Sequence, residues 1–230
     1  MLLCVIKFNK RKKYMSTNKQ KVAVIGLGNI GKIVAANLVR GNREVIIAAH
    51  KIEDARALSS QLGSLTTPAD VKTAIQDADI IVLSVWFSTI QEFFKEFATE
   101  LKGKIVIDPS NPIAPDGNGG FKKIIAADES AGQILKALLP RGATLVKAFG
   151  SLAAATLSGE AFQNPAKVLF YASDDGGAHN VIEALIKDSG FEPVFIGTID
   201  HSIKMEVFGE LHEFGALGKA VTLAELQQTV

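Results

Sequence analysis

The chain has 230 residues, 47% hydrophobic and 21% charged, with a net charge of +1. That is enough apolar chain for a sizeable α/β core, and the near-neutral balance excludes the strong basic field of a nucleic-acid binder. No apolar run approaches membrane-spanning length, and a single cysteine, Cys4, excludes an internal disulfide and fits a cytoplasmic protein.

Residues 1–14 hold Lys7, Lys10, Arg11, Lys12 and Lys13 and no acid, so without them the net charge becomes −4. Their apolar part precedes the charges, which is the reverse of a signal peptide. Residues 1–20 therefore read as a disordered or non-native extension, with Met15 a more natural start. Residues 21–31 follow as Lys-Val-Ala-Val-Ile-Gly-Leu-Gly-Asn-Ile-Gly. A strand over 22–25 runs into Gly26, Gly28 and Gly31 in G-x-G-x-x-G spacing, and Ile30, Ile33, Val34 and Leu38 give a helix over 28–39. Gly26 permits a tight turn, Gly28 lets a phosphate approach the backbone, and Gly31 lets the helix pack closely on the strand. The helix N-terminus offers free N–H groups to a diphosphate. A dinucleotide is the expected ligand. A ligand-free glycine turn is the alternative.

Strand and helix patterns then alternate. A strand is expected over 44–49 and a helix over 53–62. Thr67-Pro68-Ala69-Asp70 reads as a helix start, with a hydroxyl cap and a proline in the first turn. Residues 80–85 form a continuous apolar strand, as in a parallel sheet covered on both faces. Ser88 caps a helix reaching Leu101, with Ile90, Phe93, Phe94 and Phe97 as its core stripe. A strand at 104–107 leads into a loop over 109–121 with three prolines and three glycines, long enough to be functional or mobile. A helix at 129–139, strands at 144–149 and 167–172, a helix at 175–188 and a strand at 192–196 follow. From about His201 the chain reads as an amphipathic helix with a polar tail.

The alternation implies an α/β, doubly wound, mostly parallel sheet with a small C-terminal extension, and ligands at the carboxyl ends of its strands. The first unit spans 21–150. Residues 151–230 form an α/β part that continues the sheet and ends in a helix.

The second strand ends Ala48-Ala49-His50-Lys51, without the acid that takes the ribose hydroxyls of NAD. An imidazole and an ammonium suit a 2′-phosphate, each charge-assisted bond adding about 1.5–3 kcal/mol. NADP is favoured over NAD. The alternative is a solvated His-Lys pair that tolerates either. Other strand ends supply Val85-Trp86-Phe87, Asn111-Pro112 and Ala148-Phe149 around the nicotinamide. Trp86 is either a cofactor contact or a core aromatic. Asn111 is either a hydrogen-bond partner for a carboxamide or ribose, or a turn-former before Pro112.

Other chemistry is missing. The four histidines are scattered, no spacing makes a metal site, and the one carboxylate at a strand end, Asp108, precedes a proline. Alcohol oxidation needs a group to take a proton. Hydride transfer between a nicotinamide and another flat redox ring needs only placement. No catalytic side chain is assigned.

These residues carry a resemblance. Val-Ile-Gly-Leu-Gly-Asn-Ile-Gly, Asp79 to Val85, Val106 to Pro112, Val146 to Phe149 and Ser173-Asp174-Asp175 resemble the coenzyme F-420 (deazaflavin)-dependent NADP oxidoreductase family, of Rossmann type. The family's nucleotide module is also similar to the cytosolic domain of six-transmembrane ferric reductases. The resemblance implies cofactor contacts from Leu27, Asn29 and Ile30, phosphate selection at Ala49 and His50, and nicotinamide contacts from Trp86-Phe87 and the strand ending at Phe149. It also implies a C-terminal part closing the crevice, and homodimers. The chain departs where the family often has Ser-Arg, Pro-Trp and Asn-Thr: here stand Ala49-His50, Trp86-Phe87 and Gly150-Ser151.

The expected function is hydride transfer between NADP(H) and a small-molecule redox acceptor, a deazaflavin or flavin, with no nucleic acid or membrane partner. A nucleotide-binding redox sensor without turnover and an imine or carbonyl reductase are the alternatives.

Overall fold

The structure is a computed structural model and describes residues 19–229. Cys4, the basic patch and most of the expected extension lie outside the described residues. Its last two residues do not behave as an extension. Lys19 and the buried Arg43 both pair with Asp188, at 3.1 and 2.8 Å, and Arg43 also donates to the Gln20 carbonyl.

The first half alternates as the periodicity requires: β1 (Val22–Ile25), α1 (Asn29–Arg40), β2 (Val45–Ala48), α2 (Ile52–Leu62), β3 (Thr66–Ala69), α3 (Val71–Asp77), β4 (Ile80–Leu83), α4 (Phe87–Glu96) and β5 (Ile105–Asp108). A small hairpin of β6 (Ile113–Pro115) and β7 (Phe121–Lys123) comes next, then α5 (Ala131–Leu138), β8 (Thr144–Ala148) and α6 (Ala154–Gly159). The chain ends with β9 (Val168–Ser173), α7 (His179–Asp188), β10 (Glu192–Phe195), a 3-10 turn (Ile199–Lys204) and α8 (Leu223–Thr229).

Eight strands make one sheet in the order β10-β9-β8-β5-β4-β1-β2-β3. Neighbours are parallel throughout except β8 and β9. The central strands β1 and β4 are buried along their whole length. One face carries α1, α2, α6 and α7 over Val24, Leu38, Ile47 and Val82. The other carries α3, α4 and α5 over Ile81, Leu83, Phe94 and Leu135. Burial on both faces explains the uninterrupted apolar strands.

Several expectations fail locally. Thr66–Ala69 is a strand, not a helix start. It lies at the sheet edge, where Pro68 opposite Ile47 forfeits no second ladder bond. The helix begins after Asp70, whose carboxylate accepts from Thr73 N–H at 2.9 Å. Helix α4 is entered from Trp86 without a side-chain cap and ends at Glu96, so Ser88 is not its cap. Helix α7 starts at His179 because Asp175 closes a turn on Gly177 N–H and Asp174 accepts from Ile199 N–H.

The loop after β5 is the β6–β7 hairpin. The largest miss is the helix expected from His201. Residues 205–222 are turns that pack backbone on backbone. A Cβ on Gly209 would lie 2.4 Å from the Ile203 carbonyl oxygen, and one on Gly215 only 1.8 Å from the Gly209 oxygen. Glu206 anchors this segment. Its buried carboxylate accepts from Ser130 Oγ, Ser202 Oγ and the Ala131 and Gly132 N–H groups at 2.9–3.1 Å, against the positive end of α5.

Candidate functional site

The strand order reverses between β1 and β4, and a crevice of about 900 Å³ opens at their carboxyl ends. This is the topological switch point where open α/β sheets bind ligands. Five segments wall it: the glycine turn, the β4–α4 connection, the segment from Pro109 through the hairpin, residues 152–154, and the turns at 207–214.

The glycine turn has three different geometries. Gly26 sits at φ +93°, and a Cβ there would lie 2.3 Å from the Ser84 carbonyl oxygen. A Cβ on Gly31 would lie 1.9 Å from the Gly26 oxygen. These two glycines let turn, helix and β4 meet. Gly28 is different: it has nothing within 4 Å of a Cβ and borders the crevice. It also caps α1 without any side-chain bond, and the first turn of α1 has no acid. The first N–H groups of α1 are therefore open to an anion, and the partial charge there favours one. Asn29 and Ile30 line the crevice beside Gly28. Leu27 packs on the core instead.

Ala49, His50 and Lys51 follow β2, next to the glycine turn, where Gly26 N–H donates to Ala48. They are not part of the crevice wall. His50 and Lys51 are solvent-exposed, so a phosphate placed there meets them from outside.

Val85, Trp86, Phe87 and Asn111 do line the crevice. Trp86 is not a core aromatic: it is 58% exposed. Asn111 is a strut. Its Nδ2 donates to the Gly150 carbonyl at 2.9 Å, and its Oδ1 accepts from Val207 N–H at 2.7 Å. A carboxamide so engaged holds two walls together, with one of its two N–H donors and one of its two acceptor lone pairs already used. Phe149 does not pack beside the nicotinamide. Its ring is fully buried in the core under α1 and α6, with φ at +64°, and Ala148 shares that burial. Pro112 is buried too, its carbonyl taken by Ile124 N–H.

Beneath this floor lies a buried ion pair. Lys147 Nζ stands 2.7 Å from Asp108 Oδ2, at 2% and 0% side-chain exposure. Lys147 also donates to the Ser110 carbonyl, and Asp108 Oδ1 accepts from Ser110 N–H. The pair fixes the backbone at Ser110 and gives neither group a path to substrate.

The third wall was not legible as a site. Phe121, Phe208 and Phe214 are each half exposed and face the crevice with Trp86. His212 is buried among them. Burial pushes its imidazole below the usual histidine range, outweighing the nearby Glu213 carboxylate. Its Nδ1 accepts from Phe214 N–H, and the ring also bonds the Gly150 backbone. A neutral histidine held at both ends is a support, not a proton donor. Repeated glycines at 209, 215 and 218 were the available signal for turns here. Among the described residues no group of three or more His, Cys, Asp or Glu is placed to hold a metal ion, and no helix is long and apolar enough to cross a membrane.

Residues 21–112 match the model of the family described as NADP oxidoreductase, coenzyme F420-dependent. Over these residues the chain is similar to that oxidoreductase family. The F420-dependent NADP reductase of Methanocaldococcus jannaschii is 25% identical over 204 residues, covering 83% of this chain and 90% of that protein. The structure of the hypothetical protein SMa0349 from Sinorhizobium meliloti is 26% identical, with a TM-score of 0.77 over 88% of this chain and 95% of that one. A structure from Arthrobacter sp. FB24, provisionally described as an F420-dependent NADP-reductase, shares the fold at 23% identity and a TM-score of 0.70, covering 87% of this chain and 96% of that one. The match to the F420-dependent oxidoreductase model includes the glycine turn and the strand ends up to Pro112. The aromatic wall at Phe121, Phe208 and Phe214 lies beyond it.

Proposed function

We propose that this protein transfers hydride between NADP(H) and a flat acceptor of the deazaflavin or flavin kind. One observation carries the reading: a main-chain anion cradle and four exposed aromatic rings share one crevice. A nicotinamide held here would supply hydride, and the reduced acceptor would exchange its proton with solvent. The N–H groups at the start of α1 hold the diphosphate, with Gly28 letting it approach. Trp86, Phe121, Phe208 and Phe214, each about half exposed, give the flat partner a stacking surface. Asn111 and the Asp108–Lys147 pair keep the walls at a fixed separation, which is what catalysis by placement requires.

Lys51 and His50 select NADP by meeting its 2′-phosphate. Thermal unfolding with each cofactor tests this. Ligand at a hundred times its dissociation constant adds about 2.7 kcal/mol to stability. Lys51→Asp is expected to diminish the NADP shift strongly and to leave the NAD shift nearly intact. Aspartate is a good N-cap, so α2 is not harmed. Equal losses for both cofactors would refute the selection. Anaerobic NADPH oxidation with a flavin or deazaflavin tests the reaction itself. Absence of turnover with every flat acceptor, alongside intact cofactor binding, would favour a redox sensor instead.

A further inference from the structure

The acceptor side of the crevice has an unusual charge inventory. Among the described residues its lining contains no lysine and no arginine. The ionisable groups it does contain are Asp116 and His212, and burial keeps His212 neutral near pH 7. Glu213 stands just behind, its carboxylate bonded to Ala153 N–H.

The main chain offers an anion little more. Val207 N–H is taken by Asn111 Oδ1, Phe214 N–H by His212 Nδ1 and Ser110 N–H by Asp108 Oδ1. Asn118 and Gly120 N–H both donate to Asp116. These donors of the hairpin and the 207–214 turns already serve side chains, and two of the acceptors are carboxylates at or beside the wall; the uncapped start of α4 faces the cofactor side. An anion here meets repulsion and unreplaced water loss together. The other polar side chains of the lining are neutral: Asn29, Ser84, Thr89, Ser110 and Asn111.

We propose that the second substrate is an uncharged flat ring with carbonyl groups, a quinone or a flavin nucleus without a phosphate or carboxylate tail. The proposal rests on the hydride-transfer reading and narrows it. Coenzyme F420 carries such an anionic tail, and this wall does not fit one. Four aromatic rings supply the stacking surface, and the neutral polar side chains of the lining suit an uncharged carbonyl compound. Selectivity comes from the acids and from the missing cations, so it weakens as salt screens them.

Trp86 is the single tryptophan and stands at the mouth of the crevice, so its fluorescence reports occupancy. The full chain, with NADP⁺ filling the cradle, is titrated with riboflavin and with its phosphate ester FMN. Riboflavin is expected to quench with a dissociation constant at least tenfold lower, and the gap should narrow with added salt. Asp116→Asn, which keeps acceptor oxygen at the turn, should narrow it as well. Phe121→Lys, at an exposed position on the rim, should raise FMN affinity. FMN binding as tightly as riboflavin, or quenching by neither, would overturn the proposal. The two readings separate cleanly. Preferred riboflavin binding without NADPH oxidation would sink the enzyme and leave this site. NADPH oxidation with FMN preferred would sink the site and leave the enzyme.

Discussion

Gly31→Ala is expected to destabilise the fold, whereas Gly28→Ala, three residues earlier, is expected to leave stability intact and abolish most cofactor affinity. At Gly31 the new methyl would lie 1.9 Å from the Gly26 carbonyl oxygen and 3.1 Å from Ser84 Cβ. Those neighbours are the turn itself and the end of β4, so helix α1 must move off the sheet. Overpacking of this kind typically removes about 1–3 kcal/mol and sometimes more. At Gly28 the methyl meets nothing within 4 Å, and φ −73° with ψ −164° is open to alanine. Stability should change by no more than about 0.5 kcal/mol. The methyl instead stands where the diphosphate must approach the α1 N–H groups. An affinity loss of about tenfold or more is expected, about 1.4 kcal/mol or above. Urea unfolding and cofactor titration on both variants check this pairing. A Gly28→Ala variant that binds NADPH normally would mean the cradle is elsewhere.

Lys147→Met is expected to be the most destabilising single change at the site. It leaves the Asp108 carboxylate buried without its counter-charge, a loss of about 3–5 kcal/mol. Ser110 loses its carbonyl partner in the same step, so the crevice floor shifts and cofactor affinity falls along with stability. Replacing both members with apolar residues should recover only part of the loss. Many buried pairs can be exchanged for hydrophobes without penalty. Here the Ser110 N–H would still be orphaned, because Asp108 is its acceptor. A double variant as stable as the native protein, by denaturant midpoint, would show that the pair does not fix the loop.

The sequence made the sheet legible and the acceptor wall illegible, for the same physical reason. Strands such as Ile80–Leu83 are apolar on both faces, and helices such as α1 repeat at 3.6 residues, so local pattern and burial agree. Gly26, Gly28 and Gly31 could be separated by role because each answers a local geometric demand. Edge position is not local. Pro68 reads as a helix start until β3 is seen at the rim of the sheet. Phe149 was placed near the nicotinamide because it ends a central strand, but its positive φ turns the ring into the core. Asn111 looked available because its partners, Gly150 and Val207, lie 39 and 96 residues away. Phe208, Leu211 and His212 have an i, i+3, i+4 spacing that also suits a helix. Glu206 docking on α5, a contact 75 residues long in sequence, overrides it.

The account rests most heavily on the cradle at the start of α1. A crystal structure of the protein grown with NADPH tests it most directly. The diphosphate should lie over Gly28, bonded to the first N–H groups of α1, with the 2′-phosphate beside His50 and Lys51 and the nicotinamide in the crevice near Trp86. A cofactor bound anywhere else, or a cradle left empty at saturating NADPH, would contradict the account.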